Sequence, residues 1–375
     1  MGLVFSYCFD TISNETTQTN QMSEKTNGTP LQLDVTAAAN TNSLNTEAPK
    51  QYSWDKRSNR NALDYKFDSL DGQIVGKYPG SLNGKQFVIQ NCKNCHIYLF
   101  DWTAAVTIDD CVNCAILIGP CKGSVFVRDC TDCNLLAICQ QFRTRDCRNF
   151  NIFLHCTTQP IIEASTQMRF ACLQLNYAGL KAQYENSGLC VFNNYWGNVH
   201  DFTPVSDYHN YSLIREDAKP TDLIAFVDTE QFVCPKVSVT NSLIPLTWEY
   251  RNKSYTELCF LLIFTDTNVE RSLEETVYDL IDCITTEDLA IKRTKQVTMV
   301  PADAERITST HIYNQAVQRG PTVGLEISGP NCRHKLLNYL CTKDPPLPVL
   351  LPEQGCESEE VAMKFYSFSE VKMTM

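Results

Sequence analysis

The feature that most constrains this chain is a nineteen-residue repeat. Cys92-x-x-Cys95, Cys111-x-x-Cys114 and Cys130-x-x-Cys133 follow one another at that spacing. The residues leading into them are alike: FVIQNCKNC, VTIDDCVNC and VFVRDCTDC. A fourth copy, FRTRDCRNF, begins at Phe142 and has lost its second cysteine. Apolar residues fall five and three positions before each leading cysteine: Phe87 and Ile89, Val106 and Ile108, Val125 and Val127, then Phe142 with Thr144. A period of two is the mark of a strand with one buried face. Each cysteine pair is followed by a further apolar run, HIYLF, AILIG and LLAIC, with NIFLH in the fourth copy.

Two readings compete for the cysteines. The spacing C-x2-C-x15-C-x2-C suits a zinc ribbon. Three pairs, however, supply more thiols than one tetrahedral ion can use, and the thiols are in phase with the strand pattern. A stacked coil explains both facts. Each unit is then one rung of a parallel β-helix, and equivalent cysteines form an internal ladder. Metal is therefore not expected. Inward residues build the core of such a coil and outward ones carry chemistry. The slot four before each leading cysteine holds Val88, Thr107, Phe126 and Arg143, and the slot two before holds Gln90, Asp109, Arg128 and Arg145. Arg143 breaks an uncharged row and follows Gln140-Gln141. About one coil further on, the run QPIIE places Glu163 near the row of Arg143, with Ile162 as the inward residue by analogy with Phe142.

At 375 residues and 43% hydrophobic, the chain has room for more than one domain. Its net charge of −11 leaves no basic face, so nucleic acid is not an expected partner. No run of 18 or more apolar residues offers a membrane-spanning helix. The nineteen cysteines raise the question of disulfides, but the start, MGLVFSYCFD, lacks the features of a secretory signal. Reduced thiols and a cytoplasmic address are the expectation. The start does fit M-G-x-x-x-[ST] through Gly2 and Ser6, which would make Gly2 a myristoylation site. Residues 10–50 are rich in Asn, Thr and Ser, so residues 1–48 read as an N-terminus for lipidation followed by a flexible tether. One myristate holds a membrane weakly, with an association constant of about 10⁴ M⁻¹. No polybasic patch supplements it, since residues 1–50 hold Lys25 and Lys50 against five acids, and Cys8 is the one thiol there for palmitate.

No catalytic set of the chain's own stands out. There is no phosphate-cradling G-x-x-x-x-G-K-[ST], no G-x-S-x-G and no H-E-x-x-H. The histidines, His96, His155, His200, His209, His311 and His334, are scattered. Beyond a mixed connector at 205–254, strands are expected at 257–265, 289–300 and 320–328, and helices at 269–284, from 301 and at 331–341. Alternating strands and helices give an α/β or α+β domain at 255–375.

The runs QFVIQNCKNC, VTIDDC, KGSVFVRDC, CQQFRTRDC, TQPIIE and FNNYWGNVHDFTPV, with KQYSWDKR before them, resemble the tubulin-cofactor-C domain family over about residues 49–204. The resemblance implies a right-handed parallel β-helix. It implies a GTPase-activating protein for an Arf-like small GTPase in its GTP state, one that supplies an arginine finger in trans. The motif Q-Q-F-R places that finger on Arg143. It also sets Gln140, Gln141 and Phe142, with Gly123 and Ser124 one coil earlier, toward the GTPase and its GTP, and it adds Glu163, to orient the finger or contact the GTPase, and Phe202 as a further contact. GTP and Mg²⁺ would be held by the partner; the chain would need no cofactor of its own. The implied setting is trafficking of lipidated proteins at the plasma and ciliary membranes and the basal body. Family members carry a cysteine next to Gly2, where this chain has Leu3, and that leaves Cys8 as the palmitate candidate. The run K-x-V-T-M-x-x-A-D-A followed by G-P-T-V-G-L-E resembles the ferredoxin-like nucleoside diphosphate kinase fold. The N-x-x-H-G-S-D context of a working kinase histidine is absent, so that domain is expected to be inactive. Two alternatives stay open: a tubulin-folding or tubulin-GTPase factor, and a non-catalytic effector of the GTP-bound GTPase.

Overall fold

The computed structural model describes residues 64–214, 218–248, 257–266, 271–344, 347–353 and 355–373. The tether assigned to 1–48, with Gly2 and Cys8, lies outside them. Within them the repeat folds as a parallel β-helix. On its first side the strands Phe87–Gln90 and Val106–Asp109, the second halves of Ala115–Arg128 and Asn134–Arg145, and then Ile161–Glu163 stack in parallel. Lys66–Asp68 opens this stack and His200–Asp201 ends it. A second side stacks Ile74–Lys77, His96–Leu99, the first halves of the two long strands, Arg148–Cys156 and Thr166–Cys172. Single bridges linking Asp71, Lys93, Val112, Thr131 and Arg148 make the third.

The corners explain the repeat. Asn91, Asp110, Asp129 and Asp146, each just before the leading cysteine, have φ of 51–54°. Asn94, Asn113, Asp132 and Asn149, each just before the second position, have φ of 52–59°. Asn and Asp are the side-chain-bearing residues that best tolerate this left-handed backbone. Each Asx-Cys-x-Asx-Cys run is thus a pair of corners with a thiol turned inward after each. Side-chain amides bridge the rungs: Asn94 Nδ2 donates to Asp71 Oδ1 at 3.0 Å, and Asn113 Nδ2 to Asn94 Oδ1 at 2.8 Å.

The cysteines stack in columns rather than converging on a point. Cys111 N–H donates to Cys130 Sγ at 3.3 Å and Cys114 N–H to Cys133 Sγ at 3.4 Å, one rung apart in both cases. Each is a free, buried thiol. Phe150 fills the place of the missing eighth cysteine within the same core. Thr144 is the polar residue on the inward row, and its hydroxyl donates to Ser165 Oγ at 3.1 Å, which satisfies it.

The second side is buried on both faces. Ile97, Ile116 and Leu135 point into the coil, while Tyr98, Leu117 and Leu136 pack in a second cluster outside it. This is why HIYLF, AILIG and LLAIC lack alternation. The cover is the segment expected to be a mere connector. Ile224, Phe232 and Ile244 are buried in that outer cluster, and the Phe232 ring stacks on Tyr98 at 5.5 Å. Gly76 makes room for it, since a Cβ there would lie 2.4 Å from the Phe232 ring. The coil also runs past residue 204, because Tyr211–Leu213 pairs in parallel with Met168–Phe170.

The C-terminal domain is a four-stranded antiparallel sheet in the order Ala290–Val297, Thr322–Ser328, Leu258–Phe264, Val349–Leu350. With the helices Leu273–Thr286 and Cys332–Cys341 this is a split β-α-β-β-α-β arrangement. Ser272 caps the first helix by accepting from Glu275 N–H, and Glu275 returns the bond, a capping box. Those two helices cover one face of the sheet. The other is covered by Pro301–Thr308 and by a final helix, Cys356–Met373, through Val361, Ala362 and Phe365. That final helix is not evident in the sequence.

Candidate functional site

The outward side of the first stack carries two rows. One runs Val88, Thr107, Phe126, Arg143, Ile161, His200 in register. The other runs Gln90, Asp109, Arg128, Arg145, Glu163. Neighbouring strands lie about 4.8 Å apart, so Phe126 and Ile161 flank Arg143 directly.

The second row neutralises itself. Arg128 grips Asp109 through two bonds, Nε to Oδ1 at 2.7 Å and Nη2 to Oδ2 at 2.6 Å. Its guanidinium also sits 5.2 Å from the Phe126 ring centroid. Arg145 lies 3.4 Å from Asp146. Arg143 is exposed and has no ion pair or hydrogen bond among the described residues. Its backbone is fixed within a strand that pairs on both sides. The result is a guanidinium on a rigid mount, with its donor fork open to a carboxylate or phosphate.

The other expected site residues divide. Ser124 and Gln141 come together across adjacent rungs, the Ser124 hydroxyl donating to Gln141 Oε1 at 3.1 Å. Gln140 is exposed, while its carbonyl accepts from Thr158 Oγ1 at 2.8 Å and so pins the turn beside it. Gly123 has a packing reason to be glycine: a Cβ would sit 2.6 Å from the Ala104 carbonyl oxygen. Phe202 is 59% exposed, and its ring meets that of His200 edge-on at 4.6 Å. Its N–H donates to Ile162 O at 2.9 Å, which holds it beside the Glu163 strand.

Two expectations need correction. Phe142 does not face a partner. It is fully buried, packing edge-on to Phe170 at 6.1 Å in the coil's core. Strand alternation turns it inward because Arg143 is turned out. Glu163 is exposed but belongs to the row of Arg145, not of Arg143. The analogy failed by two residues, since Ile162 pairs with Thr144 and not with Phe142. The residues that do share the row of Arg143 are Ile161 and His200, both unmarked by motif.

Among the described residues the thiols of the coil's ladder are buried in its core. Burial pushes the Cys139 and Cys121 thiols above their ordinary range. His155 is buried too, its pKa lowered to about 4 chiefly by desolvation.

These features define a class: parallel β-helix proteins of the cofactor-C type, with an outward arginine. The tubulin binding cofactor C family matches residues 84–202. Protein XRP2 of Xenopus laevis is 44% identical over 337 residues, which span 88% of this chain and 93% of its own length. Protein XRP2 of Homo sapiens is 45% identical over 287 residues, 76% of this chain and 81% of its own. Tubulin-specific chaperone C of Homo sapiens is 31% identical over 156 residues, 41% of this chain and 45% of its own. The chain belongs to the XRP2 family.

Proposed function

We propose that this chain is a GTPase-activating protein for an Arf-like small GTPase and that Arg143 is its arginine finger. The observation that carries the reading is the exposed Arg143 guanidinium, without an ion pair among the described residues, on a strand held from both sides. Charge develops on the γ-phosphate oxygens during phosphoryl transfer, and a guanidinium delivered there is worth about 10³–10⁵ in rate. The partner supplies GTP and Mg²⁺; Ser124, Gln141 and Gln140 border the arriving nucleotide, and Phe202 packs against the GTPase. Glu163, one strand over from Arg145, contacts the partner rather than orienting the finger. The test is single-turnover GTP hydrolysis by a panel of Arf-like GTPases. The full chain accelerates one of them by at least 10³, and Arg143→Ala abolishes the acceleration. Equal rates with and without the chain, for every GTPase it binds, would make it an effector.

Gly2 carries myristate in this reading and Cys8 palmitate, which puts the activator on the cytoplasmic face of plasma and ciliary membranes. Gly2→Ala is expected to move the protein into the soluble fraction of a cell lysate. The second domain is a nucleoside-diphosphate-kinase-like module without kinase activity, supported by its strand order and by the missing histidine motif. A tubulin-directed role is the second reading. It is favoured by the likeness to tubulin-specific chaperone C, which covers 41% of the chain.

A further inference from the structure

We infer that Lys122 is a second functional cation on the face of Arg143, an assignment that rests on the GTPase reading. It docks the anionic surface of the GTP-loaded GTPase around its nucleotide and sets affinity, where Arg143 sets rate. The strands Ala115–Arg128 and Asn134–Arg145 pair in parallel, Cys121 with Cys139 and Ser124 with Gln141. Two residues, Lys122 and Gly123, thus stand opposite one, Gln140, which makes a β-bulge. A bulge re-aims a side chain, and bulges gather beside functional sites. This one is held from the rung before. Lys122 N–H donates to Thr103 O at 2.8 Å, and Thr103 N–H donates to Pro120 O at 2.9 Å. Gly123 lies close against the same rung, since the Ala104 carbonyl oxygen occupies the place of a Cβ. The backbone of Lys122 is therefore fixed, while its side chain is exposed.

The two strands carry four cations: Lys122, Arg128, Arg143 and Arg145. Asp109 holds Arg128, and Asp146 holds Arg145. Lys122 and Arg143 have no side-chain hydrogen bond or ion pair among the described residues. In a chain of net charge −11, two open cations on one side make a local positive field that draws an anionic surface. Gln140, opposite the bulge, precedes Arg143 by three residues, about 10 Å along a strand. An ammonium and a guanidinium at that spacing fit an extended polyanionic surface better than a single carboxylate. The nucleotide side of a GTP-loaded GTPase, with its phosphates, is such a surface. The two groups divide the work by their chemistry. A guanidinium is a planar fork matched to phosphoryl oxygens, whereas an ammonium is a point charge on a flexible stem. Such a stem follows its anion and favours ground and transition states alike, so it tightens binding without raising the limiting rate.

The test is single-turnover GTP hydrolysis by the panel of Arf-like GTPases, followed as a function of full-chain concentration. Wild type, Lys122→Met, Lys122→Arg and Arg143→Ala are compared at low and at physiological salt. Lys122→Met is expected to raise the half-saturating concentration about fivefold at low salt. Its limiting rate stays within about twofold of wild type, and its half-saturation depends less on salt. Lys122→Arg keeps the charge and is expected to restore the affinity, whereas Arg143→Ala loses the limiting rate. Unchanged half-saturation in Lys122→Met, with Arg143→Ala still losing the rate, overturns the role of Lys122 and leaves the GTPase reading intact. A collapse of the limiting rate in Lys122→Met overturns it too, because the residue would then belong to the rate machinery. So does a loss of affinity that Lys122→Arg fails to restore and salt leaves unchanged, since charge would not be its cause. No acceleration of any GTPase by wild type overturns both readings together.

Discussion

Single residues carry both the proposed function and the acid sensitivity expected of this molecule. Arg143 is exposed and bonded to nothing among the described residues, so Arg143→Ala is expected to change stability by no more than about 0.5 kcal/mol. A chemical denaturation midpoint equal to wild type checks this and licenses its use in kinetics. His155 behaves in the opposite way. Its Nε2 lies 3.3 Å from Val191 O, while Nδ1 is buried without a hydrogen-bond partner. The neutral ring therefore donates from Nε2, and a proton on Nδ1 would be stranded in the core. Because the folded pKa falls from 6.5 to about 4, the unfolded chain binds the proton first. Stability from this residue is whole above pH 6.5 and is lost as pH falls toward 4. The loss amounts to about 3 kcal/mol at its fullest. His155→Gln is expected to flatten that acid limb in denaturation curves at pH 7, 5.5 and 4.5; an unchanged limb would mean the ring takes up its proton without cost.

Elements explain which parts of the fold can be read from the sequence. The Asx-Cys-x-Asx-Cys run repeats because two left-handed corners and two inward thiols are needed per rung. Asn113→Ala, at φ 52°, is expected to destabilise by about 1–2 kcal/mol, and Asn113→Gly by much less, as read by thermal melting. Gly123→Ala brings a Cβ within 2.6 Å of the Ala104 carbonyl and is expected to lower the melting temperature in the same assay. The row of Arg143 is legible because alternation holds in each strand of that side, from Phe87–Gln90 to the end of Asn134–Arg145. It ceases to be legible at Ile161–Ile162. Ile162 does turn inward, but nothing in the run QPIIE says whether it matches Phe142 or Thr144, and Glu163 was assigned to the row of Arg143 for that reason. The helix Cys356–Met373 hid for another cause: its buried face includes Ser358 and Ser369 while Met363 on the far side is 61% exposed, so the apolar contrast between its faces is weak. Lys295 could not be recognised as buried, because a lysine in a strand reads as a surface residue.

The whole molecule is held together through the covered side of the coil. Tyr98, Leu117, Leu136 and Phe153 share one apolar cluster with Phe232 and Ile244, and with Ile263, Val277 and Leu325 of the second domain. Prolines at 220, 235 and 245 suggested a linker, but the scattered apolar residues between them are what seal the coil. A chain cut after residue 214 is expected to expose that cluster and to aggregate or melt well below the full chain in light scattering. At this scale, among the described residues, the side of the β-helix that presents Arg143 is not covered by the second domain. If that side acts on a transition state, its arginine must matter more there than in the ground state. The most direct measurement compares the affinity of wild type and Arg143→Ala for the partner GTPase in two forms, loaded with a non-hydrolysable GTP analogue and with GDP plus aluminium fluoride. The account predicts a nearly unchanged affinity for the first and a loss of at least a hundredfold for the second. An equal loss in both forms would contradict it and reduce Arg143 to a docking contact.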